Sequence, residues 1–93
     1  MTSRLTRNIK RALLKNGFRL RHSHHMEFQL FVDNKPGKIH TFLSHGLQEY
    51  GDPLLAAMSR QLHLSKQELL DFIDCSMSGT DYLLLLRERG HIA

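Results

Sequence analysis

Three of the seven histidines fall within four positions, in Arg21-His22-Ser23-His24-His25. An imidazole exchanges a proton near neutral pH, so such a cluster can supply a general acid or base. It can also ligate a metal ion, or simply sit on the surface as a turn. The residues that follow, Met26 to Val32, alternate apolar and polar. That period of two predicts a half-buried strand, with the histidines at its mouth. His24 is in phase with Met26 and Phe28 and leans toward the core face. His25 is in phase with Glu27 and Gln29 and points the other way. His25 is therefore the better placed for chemistry, with Ser23 and His24 supporting the turn. No carboxylate or cysteine stands at a typical ligand spacing from these histidines, so neither a metal nor another cofactor is expected. His40 and His63 show no partner pattern and read as structural or exposed. Cys75 reads as a small core residue and not a nucleophile.

The chain has 93 residues, which suits one small domain over residues 1–93 with a single core. It is 41% hydrophobic and 24% charged, as folded globular domains are. The formal net charge of +4 and a pI near 9.6 favour a polyanionic partner such as nucleic acid. A lone cysteine cannot form an internal disulfide, which fits a reducing compartment. No apolar run approaches the ~20 residues of a membrane span, and no signal-peptide core follows Met1. The expected location is the cytoplasm, with no membrane partner.

The elements that must hold the histidines can be read in order. Ser3 to Asn16 predicts a helix with a stripe of Leu5, Ile9 and Leu13, stopped by Gly17. Arg4, Arg7, Lys10, Arg11 and Lys15 cover much of its remainder, as a solvated face or a phosphate-facing one. Phe18 to Arg21 and Met26 to Val32 predict the first two strands. Asp33 to Gly37 predicts a turn, and Lys38 to Leu43 a third strand. Short turns imply an antiparallel meander. Asp52 and Pro53 open a second helix, as cap and first position. Ser65 and Glu68 have capping-box spacing before a third helix, and Thr80 to Arg89 predicts a fourth ended by Gly90. Tyr82 to Leu86 reads as core or a partner contact. The expected fold class is α+β: α-β-β-β-α with a three-stranded antiparallel sheet, plus two short C-terminal helices.

These residues resemble a family. A basic helix ending in Asn16-Gly17-Phe18 leads into Ser23-His24-His25, a strand, a turn, a third strand and Ser44-His45-Gly46. A helix reading Ala57 to Ser65 follows. Together they resemble the HicA toxins of bacterial toxin–antitoxin pairs over about residues 5 to 65. The resemblance implies a double-stranded-RNA-binding-domain-like fold and an mRNA-cleaving ribonuclease, held inactive by a HicB antitoxin. The family's catalytic histidine maps to His25. Its usual turn glycine is replaced by His22, and its usual histidine-proline by His45-Gly46. Residues 66–93 extend beyond the short HicA-like core of 1–65.

Metal-free RNA cleavage needs a group that takes a proton from the ribose 2′-hydroxyl or gives one to the leaving oxygen, and a cation beside the phosphate. His25 is the expected proton-transfer group. Arg21 and Lys38 are expected beside it, with Arg7 and Arg11 as further RNA-binding residues. Two other functions fit the same sequence. One is a non-catalytic RNA-binding domain, which needs the basic surface alone. The other is an interaction module whose C-terminal helices bind a partner or a second copy as a homodimer.

Overall fold

The computed structural model describes residues 2–22 and 24–93, so Ser23 of the predicted supporting turn lies outside the described residues. A two-residue strand β1 (Arg4–Leu5) leads into helix α1 (Thr6–Lys15). Strands β2 (Phe18–His22), β3 (Met26–Val32) and β4 (Lys35–Leu43) follow. A second two-residue strand, β5 (Glu49–Tyr50), precedes helices α2 (Asp52–Gln61), α3 (Lys66–Ile73) and α4 (Gly79–Glu88). The protein is therefore α+β, with an antiparallel sheet of order β2-β3-β4 and four helices. β1 and β5 form a separate antiparallel pair that pins the start of α1 to the segment before α2.

The helix predicted from Ser3 begins at Thr6, because Arg4 and Leu5 are held extended against Tyr50 and Glu49. Its apolar face, Ile9, Ala12 and Leu13, is buried. Asn16 folds back to donate to the Ala12 carbonyl at 2.9 Å, and Gly17 takes φ +97°, a conformation open to glycine at little cost. The Gly17 carbonyl then accepts from Phe31 N–H at 2.9 Å, which docks the helix end onto β3.

The turn expected over Asp33 to Gly37 is tighter than that. Asp33 and Asn34 both take positive φ, 53° and 63°, between the paired residues Val32 and Lys35. This is a two-residue hairpin of the kind that Asn and Asp tolerate. Pro36 and Gly37 lie within β4, at a bulge where the register shifts between Gln29 and Phe31. A proline is accepted there because β4 is an edge strand and the ladder is already broken. A Cβ on Gly37 would stand 3.0 Å from the Leu30 carbonyl oxygen, so the close approach of the strands favours glycine.

At the second helix, Gly51 is the cap and Asp52 the first helical residue, one position earlier than predicted. The expected box at Ser65 and Glu68 is formed on α3, and a second one, Ser78 with Asp81, opens α4. α2, α3 and α4 each stop in a left-handed residue: His63, Cys75 and Gly90. In each case two backbone bonds fold back over the helix end, as in Leu64 N–H to Ser59 O and Ser76 N–H to Asp71 O, both within 2.9 Å. Cys75 is thus exposed at a helix stop, and the prediction of a core cysteine is corrected. The apolar side of α3 turns inward and leaves this residue outside.

One buried cluster joins the three-stranded sheet, β5 and the helices. Phe28, Leu30, Ile39 and Leu43 of the sheet meet Ile9 and Leu13 of α1, Leu55 and Leu62 around α2, and Leu69, Phe72, Tyr82 and Leu86 of the last two helices. At its centre Phe18, Phe72 and Tyr82 pack with ring centroids 5.2 to 6.3 Å apart. All four helices lie on one side of the sheet. The other face is left uncovered and carries the candidate site.

Candidate functional site

Strand alternation assigns the uncovered face. Arg19 and Arg21 of β2, Glu27, Gln29 and Phe31 of β3, and Lys38, His40 and Phe42 of β4 all point there. The register sets them in rows. Arg21, Glu27 and Phe42 are cross-strand neighbours, and the next row is Arg19, Gln29 and His40. Glu27 faces two basic groups: Arg21 Nη1 at 3.7 Å and His40 Nδ1 at 3.7 Å. The Arg21 side chain is 75% exposed and that of Glu27 only 22%. The carboxylate is thus partly sheltered, and the guanidinium reaches into solvent. His40 Nδ1 is buried and has no hydrogen-bond partner among the described residues, and the Glu27 carboxylate stands 3.7 Å from it.

His24 and His25 are both exposed beyond the end of β3. The predicted inward lean of His24 is not seen, because the strand ends at Met26 and its alternation stops with it. The His25 ring lies edge-on to Phe42, centroids 6.5 Å apart, and so reaches the row that holds Arg21 and Glu27. His22 stacks with His45 at 6.4 Å, which brings the two histidine segments of the sequence together at this edge. Phe42 is 43% exposed, a flat apolar surface among charged groups.

The predicted basic residues do not form one patch. Arg21 joins the histidine edge. Lys38 lies on the same face but beyond the His40 row, toward the bulge. Arg7 and Arg11 are exposed on α1, in the opposite layer. Arg19, which the sequence reading did not single out, covers the Phe31 ring at 4.0 Å and donates to Asn34 at 3.1 Å.

His40 also escaped the sequence reading, which found no partner for it. The signal was available in the hairpin. Asp33-Asn34 as a two-residue turn would set His40 opposite Glu27. The bulge moves it opposite Gln29, which keeps it diagonal to Glu27 and still in reach. His63, likewise read as unpartnered, stacks on His91 with centroids 3.8 Å apart. Burial, and then the neighbouring His91, hold its pKa below the ordinary histidine value. This pair lies at the ends of α2 and α4, away from the uncovered face. Among the described residues no group of three His, Cys, Asp or Glu side chains could hold a metal ion. No described helix is long and apolar enough to cross a membrane. Comparison with known proteins returns no matching family model, no matching curated protein and no matching solved structure.

Proposed function

We propose that the protein is an RNA-binding ribonuclease of the HicA type that cleaves mRNA by histidine acid–base catalysis. The order α1, β2-β3-β4, α2 is read as a double-stranded-RNA-binding-domain-like core, with α3 and α4 as its extension. The observation that carries the reading is the row on the uncovered face. An exposed histidine, His25, reaches over Phe42 toward an arginine and a carboxylate, and a second histidine stands on the far side of the same carboxylate.

The chemistry balances without another reactant. The ribose 2′-oxygen loses its proton to a histidine and attacks phosphorus. The bond from phosphorus to the 5′-oxygen breaks, that oxygen takes a proton from solvent water, and the histidine returns the proton it took to the hydroxide left behind. A 2′,3′-cyclic phosphate and a 5′-hydroxyl result. Arg21 stabilises the charge gained by the phosphate in transit. A rise of about 3.3 Å per residue puts the His25 and His40 rows up to about 13 Å apart at the backbone. One phosphodiester therefore meets one of these imidazoles directly, and His25 is the primary assignment. In this reading the protein acts in the cytoplasm and is silenced by a HicB-like antitoxin that covers the histidine edge.

A second reading is a non-catalytic RNA-binding domain of the same fold. The placement of Arg7 and Arg11 on one layer and Arg21 and Lys38 on the other favours it, since phosphate contact alone can use such a spread. Purified protein incubated with RNA and with a chelator separates the two. Cyclic-phosphate ends are expected, and a substrate with 2′-deoxyribose at the cleaved position should resist. Equal cleavage of the deoxy substrate would overturn the mechanism, and binding without cleavage would favour the second reading.

A further inference from the structure

Phe42 is 43% exposed on the uncovered face of the sheet, while the other phenylalanines and both tyrosines are buried or half-buried. Its place in the strand fixes this. Thr41 and Leu43 on either side point into the core, so alternation turns Phe42 outward. One exposed ring needs no explanation by itself. A second flat group on the same face gives it one. The Arg19 guanidinium lies over the Phe31 ring at 4.0 Å and donates to Asn34 at 3.1 Å. It is thereby held in place on this face, while the residue stays exposed.

Phe42 stands opposite Glu27, and Phe31 lies four residues further along β3, so the two platforms are about 13 Å apart along the sheet. The charge of the face has one sign in excess. Among its strand residues Arg19, Arg21 and Lys38 stand against Glu27 alone. His25 and His40 add to the positive side when protonated. A polyanion is the complement of such a face. A polyanion that also carries flat apolar rings is a nucleic acid with unpaired bases. In a duplex the bases stack on each other, and their faces are closed to a side chain. An unpaired base offers its face to an aromatic ring or to a guanidinium plane.

We propose that the uncovered face takes single-stranded RNA, with one base stacked on Phe42 and a second on the Arg19 guanidinium over Phe31. Arg21 and Lys38 supply counter-charge to the phosphates. Stacking accepts any base, since every base has a flat face. The His25 ring stands edge-on to Phe42 at 6.5 Å, so a base on Phe42 brings its own nucleotide to the imidazole. The substrate is thus an unpaired stretch of RNA and not a duplex, although the core is read as one of a duplex-binding type. This deepens the ribonuclease reading and rests on it for the identity of the ligand.

The test is fluorescence anisotropy of the full chain with a short 2′-O-methyl RNA strand, which lacks the free hydroxyl that cleavage needs, and with the same strand annealed to its complement. The single strand should bind more tightly than the duplex. Phe42→Leu keeps an apolar side chain and removes the flat ring. It should weaken binding of the strand by about 5- to 150-fold, with the melting temperature little changed. The salt slope should stay the same, since no phosphate contact is lost. Phe42→Tyr keeps the ring and should bind as the parent does. Arg19→Lys keeps the charge, removes the plane, and should weaken binding by about 5-fold or more at an unchanged slope. A duplex bound as tightly as the strand, or Phe42→Leu equal to the parent, overturns the inference and leaves RNA binding in place. If neither RNA binds, the ribonuclease reading fails and this inference fails with it. If Phe42→Leu keeps the parent's RNA affinity but lowers a self-association seen in sedimentation, the ring is a contact between copies and the inference is overturned.

Discussion

The imidazole of His40 and the carboxylate of Glu27 face each other across β3 and β4, Nδ1 to Oε2 at 3.7 Å, on the side of the sheet that no helix covers. That relationship sets a carboxylate against a second histidine, on the same face as the one expected from the sequence. The two histidines differ in kind. His25 is solvent-exposed at a turn, and His40 is held in the sheet by its strand.

Single substitutions distinguish their roles. His25→Ala should lower the RNA cleavage rate by about 10²–10⁴-fold, the range of one general acid–base group, with little change in melting. His40→Ala and Glu27→Gln should act alike if the pair works as a unit. Rates on one RNA substrate check this. A His25→Ala protein as active as the parent, with His40→Ala inactive, moves the proton transfer to His40.

The distribution of basic residues makes a separate prediction about affinity. Each phosphate contact contributes about one unit to the slope of log affinity against log salt. Replacing Arg7, Arg11 and Arg21 by Gln removes groups from both layers. A slope reduced by about three means that the RNA touches both layers. A reduction of about one from Arg21→Gln alone, with no further loss from Arg7 and Arg11, confines it to the uncovered face.

Acid stability follows from a different contact. Arg89 donates to both Glu68 oxygens, at 3.0 and 2.6 Å, and Ser65 N–H donates to the same carboxylate at 2.7 Å. The guanidinium first, and the backbone donor second, pull the Glu68 pKa from 4.5 down to about 2. The folded pKa is depressed, so the stabilisation is present above the unfolded value and is lost as pH falls through the window from about 4.5 to about 2. Glu68→Gln should therefore flatten the loss of melting temperature in that window. Parallel melting curves of parent and variant across it would leave this contact without a part in acid unfolding.

The sheet was legible because alternation in Phe18 to Arg21 and Met26 to Val32 leaves one choice of inward face. The capping box at Ser65 was legible because its chemistry is local. The two-residue strands β1 and β5 were not, since a pair of residues carries no period and only their pairing makes them extended. Pro36-Gly37 misled for a physical reason: the same residue types that punctuate a turn also serve a bulge on an edge strand. The Glu27–His40 contact depends on register, which the sequence sets only through the turn and the bulge together. The thiol of Cys75 was misplaced because a left-handed stop, not hydrophobicity, decides its position.

The last two helices carry the sharpest stability prediction. Tyr82 is fully buried, packs on Phe18 and Phe72, and donates its hydroxyl to the Leu62 carbonyl at 2.9 Å. Burial drives its phenol pKa upward, so this group remains protonated in the folded protein. Tyr82→Phe keeps the ring and leaves the Leu62 carbonyl short of a donor, which costs about 1–3 kcal/mol. Phe72→Ala removes the ring that touches both partners and opens a cavity, at about 3–5 kcal/mol. A net stability of about 5–15 kcal/mol makes the second loss a large fraction of the whole. A chain ended at Ser65 loses Leu69, Phe72, Ile73, Tyr82 and Leu86 at once, all of them buried against the sheet and the first helices. It should aggregate or remain unfolded, while Tyr82→Phe should melt cooperatively at a lower temperature. Circular dichroism melting and gel filtration of the three proteins check the order. A fragment ending at Ser65 that melts like the parent shows that residues 66–93 add nothing to the core.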